Sequence, residues 1–138
     1  MNAGSALSEG SPGMDEPKRT VLLVEDDRFL RRAAEAMLQR RGFTVRTAAD
    51  GEEAVRLARE SPPDIVLLDV IMPKLQGFEV LRILKEDPTT TEVPVIMLSN
   101  LGQDSDVQRA LDRGARGYFV KANLSLEDLV KRVEETLM

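Results

Sequence analysis

The sequence lacks the two residue types that carry most thiol and imidazole chemistry: its 138 residues include no cysteine and no histidine. Disulfides, catalytic thiols, imidazole bases and zinc sites built from these side chains are therefore excluded. A basic stripe is also missing and the formal net charge is -5, which argues against a general nucleic-acid-binding surface. Any chemistry must come from carboxylates, hydroxyls, lysine and a hard metal ion.

Long apolar runs are missing as well. The first nineteen residues are rich in glycine, serine and proline and contain no stretch that resembles a signal peptide, and no later run has the length of a transmembrane helix. We expect residues 1–19 to form a disordered tail. Residues 20–138 are expected to form one domain, because 42% hydrophobic content suits a single core. The protein is predicted to be cytoplasmic, without membrane insertion.

The sequence does contain a regular alternation of predicted strands and helices. Strand-like runs occur at 21–24, 43–48, 65–68, 95–98 and 117–120, and apolar residues at helical spacing follow each of them. The third run is apolar throughout, which is typical of a strand that helices cover on both faces. Five consecutive βα units predict a doubly wound, flavodoxin-like (βα)5 parallel sheet with strand order 2-1-3-4-5.

Four of these runs end on polar residues suited to phosphate and magnesium. The carboxyl ends of parallel strands meet at one edge of the sheet, and ligands bind there, at the point where the strand order reverses. In the predicted order, the strands before Glu25, Asp26 and Asp69 flank that point. The polar residues that follow the four runs are Glu25, Asp26, Asp27, Asp69, Ser99 and Lys121.

These residue types predict phosphoryl chemistry. Crowded carboxylates repel one another unless a cation is present, and Mg²⁺ prefers carboxylate, phosphate and water oxygens. Ser99 can donate its hydroxyl proton to one phosphoryl oxygen, and Lys121 can place a positive charge beside another. Asp69 then remains as the nucleophile, and attack by a carboxylate on phosphorus forms an aspartyl phosphate.

With these residues, the sequence resembles the receiver domains of two-component response regulators. The matching segments are VLLVEDD at 21–27, LLDVIMPKLQGFEVL at 67–81, MLSN at 97–100 and GYFVKA at 117–122. The resemblance covers residues 20–137. It implies phosphorylation by a sensor histidine kinase or a phosphotransfer protein, with Mg²⁺ as cofactor. The chain would then catalyse only its own phosphoryl transfer and dephosphorylation.

The resemblance assigns a role to each residue of the acidic edge. Asp69 is implied as the phosphoacceptor and as a metal ligand. Asp26 is implied to hold Mg²⁺ directly, and Glu25 through water. The backbone carbonyl of Ile71 is implied as a further ligand.

The resemblance also implies how the signal leaves the domain. Ser99 is the switch hydroxyl, Tyr118 the switch aromatic and Lys121 the phosphate-binding lysine. The fourth helix, the fifth strand and the last helix are implied as the face that responds to phosphorylation. The last predicted helix ends with the chain, so either the target is a separate downstream protein or the chain is a fragment of a longer regulator; we expect the former, with no direct nucleic-acid binding.

Two positions depart from the usual pattern of the family, and two others bear on the lifetime of the phosphoryl group. Ala122 stands where a proline with a cis peptide bond usually follows the lysine, and a cis bond before alanine is costly, which predicts a trans peptide. Asn100 is larger than the usual residue after the switch hydroxyl, so it either crowds the pocket or adds a hydrogen bond. Ile71 and Leu101 are apolar where side chains border the approach of water, which predicts slow loss of the phosphoryl group.

Other interpretations of the same residues stay open. Taken singly, Asp69 can be a turn or helix cap and Ser99 a local hydrogen-bonding residue. An aspartate-nucleophile phosphatase is disfavoured, because Ile71 occupies the position where such enzymes carry a second aspartate. The main alternative is an interaction module that keeps the fold and is not phosphorylated. Nucleotide hydrolysis is disfavoured because neither glycine-rich phosphate-binding motif occurs.

Overall fold

Five parallel strands form one sheet in the computed structural model, which describes residues 18–100, 104–123 and 125–138. The order is β2-β1-β3-β4-β5, which confirms the predicted doubly wound sheet and its strand order. The strands are β1 (Thr20–Val24), β2 (Thr44–Ala48), β3 (Ile65–Asp69), β4 (Val95–Ser99) and β5 (Gly117–Val120). The helices are α1 (Arg28–Arg40), α2 (Gly51–Glu60), α3 (Gly77–Glu86), α4 (Asp104–Asp112) and α5 (Leu126–Thr136), and a 3-10 turn at Lys121–Asn123 follows β5.

The helices cover both faces of the sheet. Buried side chains of α2, α3 and α4 form one hydrophobic cluster with one face of the sheet, and those of α1 and α5 form a second cluster with the other face. All five residues of the central strand β3 are buried. This explains why the run at 65–68 is apolar without alternation.

The boundary between α1 and β2 differs by one residue from the prediction. Phe43 was expected in the strand, but its N–H donates to the carbonyl of Leu38 (3.1 Å), and that of Gly42 donates to Gln39 (3.0 Å). With Gly42 at φ 95°, these bonds form a Schellman cap that satisfies the last carbonyls of α1. The strand therefore begins at Thr44.

The described residues begin just before β1. The tail expected at residues 1–19 lies, as far as residue 17, outside the described residues. Arg19 accepts a backbone hydrogen bond from Thr44 (2.9 Å), so backbone pairing with β2 begins one residue before β1. Among the helices of the described residues, none has the length and apolar character needed to span a membrane.

Candidate functional site

A polar pocket lies at the carboxyl ends of four neighbouring strands. The strand register explains its composition: Val24 pairs with Leu68, so the residues that follow β1 lie beside Asp69 at the end of β3. Ser99 pairs with Val120, so Lys121 emerges next to the end of β4. The residues that line the pocket are Glu25, Asp26, Asp27, Asp69, Ile71, Ser99, Asn100 and Lys121.

Three carboxylates converge in this pocket. Glu25, Asp26 and Asp69 each offer an oxygen, and these oxygens lie within 4.8 Å of one another. Glu25 is 1% exposed and Asp69 4% exposed, whereas Asp26 is exposed to solvent. Three clustered carboxylate oxygens with access to water fit the coordination that Mg²⁺ prefers, in which one or two carboxylates share the ion with water and phosphate. The cluster predicted from the strand ends is therefore present.

Lys121 bridges the two buried carboxylates. Its Nζ lies 2.7 Å from Oε1 of Glu25 and 2.9 Å from Oδ2 of Asp69, and its side chain is 17% exposed. Burial alone lowers the pKa of Lys121, but the hydrogen bonds with Glu25 and Asp69 outweigh burial and raise this pKa above its ordinary value. The amine thus stays charged and offsets part of the negative charge in the pocket.

The buried carboxylate of Glu25 has a raised pKa. Burial raises its pKa from 4.5 to about 7, and the negative charge of Asp69 adds to this effect. Hydrogen bonds from Lys121 and from the N–H of Asp27 act in the opposite direction; the latter measures 3.0 Å to Oε2. A carboxylate that is this poorly solvated gains strongly from a nearby cation.

Asp69 is held through both of its carboxylate oxygens. Oδ2 accepts from Lys121 (2.9 Å) and Oδ1 accepts from the N–H of Ile71 (3.3 Å). Ile71 is 53% exposed, so its side chain lies at the solvent edge of the pocket while its backbone contacts the buried acid. The carboxylate is therefore fixed in orientation at the end of β3, facing the other charged groups.

A hydrogen bond joins Ser99 and Tyr118 on the other side of the pocket. Ser99 ends β4 and is 1% exposed; Tyr118 lies on β5, is half-buried and packs against the α2–α3–α4 side of the core. Burial raises the pKa of Tyr118, and a hydrogen bond with Ser99 partly counteracts this rise. Tyr118 does not line the pocket itself, but its contact with Ser99 connects the pocket to the surface of β5.

Arg31 is a site residue that the strand-end pattern did not indicate. Its Nη1 donates to the carbonyl of Glu25 (2.8 Å) and approaches the carbonyl of Asp26 (3.4 Å). The start of α1 is fixed by Asp27, whose Oδ1 accepts from the N–H groups of Phe29 (2.9 Å) and Leu30 (3.1 Å). The only signal in the sequence is the position of Arg31 in the first turn of α1, close behind the acidic residues.

The loop after Lys121 agrees with the expectation drawn from Ala122. No cis peptide bond occurs in the described part of the chain, and Lys121–Asn123 form a 3-10 turn. Asn100, which lines the pocket, is exposed. Leu101, the second apolar residue expected near the approach of water, lies outside the described residues.

Comparisons with known proteins agree with this site. The sequence model of the response regulator receiver domain matches residues 21–134. The gliding motility regulatory protein of Myxococcus xanthus is 41% identical over 114 residues, 83% of this chain and 15% of the relative. The transcriptional regulatory protein AfsQ1 of Streptomyces coelicolor is 43% identical over 102 residues, 74% of this chain and 44% of the relative. The chain thus spans less than half the length of these curated relatives.

A solved structure extends the comparison to the fold. The CheX–CheY–BeF3–Mg complex of Borrelia burgdorferi contains a chain that is 34% identical, with a TM-score of 0.79, covering 87% of this chain and 90% of that chain. The family match includes every residue that lines the pocket. The chain therefore belongs to the family of response regulator receiver domains of two-component systems.

Proposed function

We propose that Asp69 accepts a phosphoryl group from the phosphohistidine of a sensor kinase or phosphotransfer protein, in a reaction that depends on Mg²⁺. The observation that carries the proposal is the convergence of three carboxylates, Ser99 and Lys121 at the ends of four adjacent strands. Each of these groups has a use in phosphoryl transfer, and a structural role alone would not require all of them at one place.

The metal would be held by residues of the acidic cluster. Asp26 and Asp69 supply carboxylate oxygens, the carbonyl of Ile71 supplies a third protein oxygen, and Glu25 acts through water. Bound Mg²⁺ supplies positive charge that offsets the charge on the phosphoryl oxygens. Two observations support this arrangement: the pKa of Glu25 is raised, and the carboxylate of Glu25 already attracts the Lys121 amine, whose Nζ lies 2.7 Å away.

The transfer itself uses the fixed groups of the pocket. A carboxylate oxygen of Asp69 forms the new bond to phosphorus as the bond from phosphorus to the donor's imidazole nitrogen breaks, and that nitrogen keeps the electron pair. The Ser99 hydroxyl donates to one phosphoryl oxygen, and Lys121 contacts another. Both donors line the pocket that holds Asp69, so they lie close to the oxygens on which charge develops.

We infer that the output passes through Ser99 and Tyr118. Ser99 is buried beside Asp69, and its hydrogen bond with Tyr118 leads from the pocket to β5, next to α4 and α5. A phosphoryl group that recruits the Ser99 hydroxyl changes this contact and thus the surface of α4, β5 and α5, which binds a target protein. The Borrelia burgdorferi structure is a complex of CheX, CheY, BeF3 and Mg, which supports a protein partner for this chain.

The proposal is tested by phosphorylation with a small-molecule donor. We expect acetyl phosphate to add one phosphoryl group to the protein in the presence of Mg²⁺, as measured by intact mass, and to add none when EDTA removes the metal. Beryllofluoride with Mg²⁺ should shift the NMR signals of Ser99, Lys121 and Tyr118. An unphosphorylated interaction module would show neither response, so the absence of both would contradict the proposal.

The lifetime of the phosphoryl group is expected to depend on Ile71. Hydrolysis requires a water in line with phosphorus, and an apolar side chain at the edge of the pocket cannot orient it by hydrogen bonding. We expect Ile71→Asn to accelerate the loss of the phosphoryl group about tenfold, which corresponds to roughly 1.4 kcal/mol in the barrier. The measurement is the decay of phosphorylated protein after donor removal. The matched control is Leu111→Asn, at an exposed position of α4, which should leave the decay rate unchanged.

A further inference from the structure

The loop from β3 to α3 contains a strained turn close to Asp69. Lys74 has φ 69° and is the one residue other than glycine with positive φ in the described part of the chain. The N–H of Leu75 donates to the carbonyl of Pro73 (2.7 Å), so the turn closes across Lys74 alone. Positive φ with a bond of this span defines the classic γ-turn, which is rare and strained in proteins.

The first residues of α2 hold this turn in place. A Cβ on Gly51 would lie 2.0 Å from the carbonyl oxygen of Leu75, so the loop backbone rests directly on α2 and leaves room only for glycine there. The side chain of Leu75 packs against the core cluster on the α2–α3–α4 side. Nζ of Lys74 lies 3.6 Å from Oδ2 of Asp50, the residue that precedes α2, and this ion pair is a second contact between the turn and the start of α2.

The Asp50 carboxylate contacts both the first turn of α2 and the side chain of Lys74. Its Oδ1 accepts from the N–H of Glu53 (2.9 Å) and so caps α2. The pKa of Asp50 lies below its usual range, chiefly because of this backbone hydrogen bond and further because of the charge of Lys74. The Asp50 carboxylate is therefore ionised at neutral pH and carries the charge that faces Lys74.

The other end of the loop is held at the polar pocket, beside Asp69. The N–H of Ile71 donates to Oδ1 of Asp69 (3.3 Å), and that of Gly77 donates to the carbonyl of Val70 (2.8 Å). A Cβ on Gly77 would lie 2.3 Å from the carbonyl oxygen of Asp69. The seven residues of the loop are thus held by close backbone contacts at both ends, and the backbone of Ile71 lies between them.

We propose that Asp50, Gly51 and Lys74 form a clamp that positions the carbonyl of Ile71 and the carboxylate of Asp69 for the metal. Strained backbone conformations persist only where the surroundings over-determine them, and they concentrate at functional sites. Glycine at position 74 would remove the strain, whereas lysine adds the ion pair with Asp50. Asp50 and Lys74 are positioning residues, and their metal role rests on the proposed function of the pocket.

Two variants separate the clamp from a general charge effect. Asp50→Asn keeps a good N-cap but loses the charge that faces Lys74, and Lys74→Gly removes the charged side chain and suits the positive φ. The clamp predicts that both variants raise the Mg²⁺ dissociation constant about tenfold, the range seen for groups that orient metal ligands. A general charge effect predicts changes of the Mg²⁺ dissociation constant in opposite directions. Loss of the Asp50 charge weakens the attraction of a cation and raises the constant, whereas loss of the Lys74 charge strengthens the attraction and lowers the constant.

A second measurement uses the protein without metal. We expect the amides of Ile71 and Leu75 to exchange with solvent about fivefold faster in both variants, because their hydrogen bonds depend on the held loop. The unfolding midpoint of Lys74→Gly should not fall, so lower metal affinity is not explained by lower stability. Glu60→Gln, which removes an exposed ion pair with Arg56 on the same helix, is the control and should change none of these quantities.

The outcomes distinguish the clamp from the function on which it rests. Shifts of the Mg²⁺ dissociation constant in opposite directions, or amide exchange that is unchanged in both variants, would overturn the clamp. If the parent protein fails to bind Mg²⁺, the proposed function of the pocket is wrong. The exchange measurement in metal-free protein then still decides whether Asp50 and Lys74 hold the loop.

Discussion

We expect Asp69→Asn to abolish phosphorylation by acetyl phosphate while the fold remains intact. The amide nitrogen and oxygen of asparagine keep the size of the side chain, but neither is a nucleophile comparable to a carboxylate. Lys121 keeps Glu25 as a partner at 2.7 Å, so the variant does not leave a buried amine unpaired. Incorporation should fall below detection, by at least about 100-fold, in intact-mass measurements with Mg²⁺ and donor present.

The control for this variant is an aspartate of the same chain outside the pocket. Asp112→Asn, at the exposed end of α4, should be phosphorylated like the parent protein. Peptide mapping of the phosphorylated parent should place the modification on the segment that contains Asp69. Equal modification of Asp69→Asn and the parent would show that another residue accepts the phosphoryl group, and the assignment of the site would be wrong.

Much of the fold follows from local patterns in the sequence. Apolar runs of strand length, separated by helical periodicity, are enough to predict a parallel sheet, since parallel strands require helical crossovers on its faces. Because side chains at the ends of parallel strands meet at one edge, the cluster of Glu25, Asp26 and Asp69 is also predictable without a structure. The strand order follows from the handedness and compactness of such folds and from the resemblance to a known family.

The parts that were not predicted depend on particular hydrogen bonds and close contacts that apolar periodicity does not reveal. Phe43 belongs to the cap of α1 because the left-handed Gly42 lets its N–H reach back to Leu38, and periodicity alone does not reveal this. Arg31 reaches the carbonyl of Glu25 only because α1 starts immediately after the acidic residues. The contact between Gly51 and Leu75 joins segments that are far apart in sequence, so no local pattern indicates that glycine is required.

The second large effect concerns stability, and it arises from Glu25. We expect Glu25→Gln to stabilise the metal-free protein at pH 8 although it weakens Mg²⁺ binding. At this pH the buried carboxylate of Glu25 is ionised at a cost, because its pKa is about 7 in the folded protein and 4.5 for the ordinary side chain. This difference corresponds to about 3 kcal/mol. The attraction of Lys121 is already included in this raised pKa, so the expected stabilisation is of the order of this difference.

The sign of the pH dependence follows from the direction of the shift. Because the folded state holds the proton of Glu25 more tightly than the unfolded state, this group favours folding most at low pH. Its contribution is fully present below the ordinary pKa of 4.5 and is lost as the pH rises to about 7. The difference in stability between Glu25→Gln and the parent should therefore grow between about pH 4.5 and pH 7 and stay constant above that range.

Urea unfolding of both proteins in EDTA, at several pH values between 4.5 and 8, measures this difference directly. Glu60→Gln removes an exposed carboxylate paired with Arg56 and should change stability by less than about 0.5 kcal/mol. Added Mg²⁺ should stabilise the parent more than Glu25→Gln, because the cation relieves the charge of the buried carboxylate. A variant that is less stable than the parent at pH 8 would mean that the ion pair with Lys121 outweighs the cost of burying Glu25. The pocket would then not be destabilised by its own carboxylates, and electrostatic relief would not be what draws a cation to this edge of the sheet.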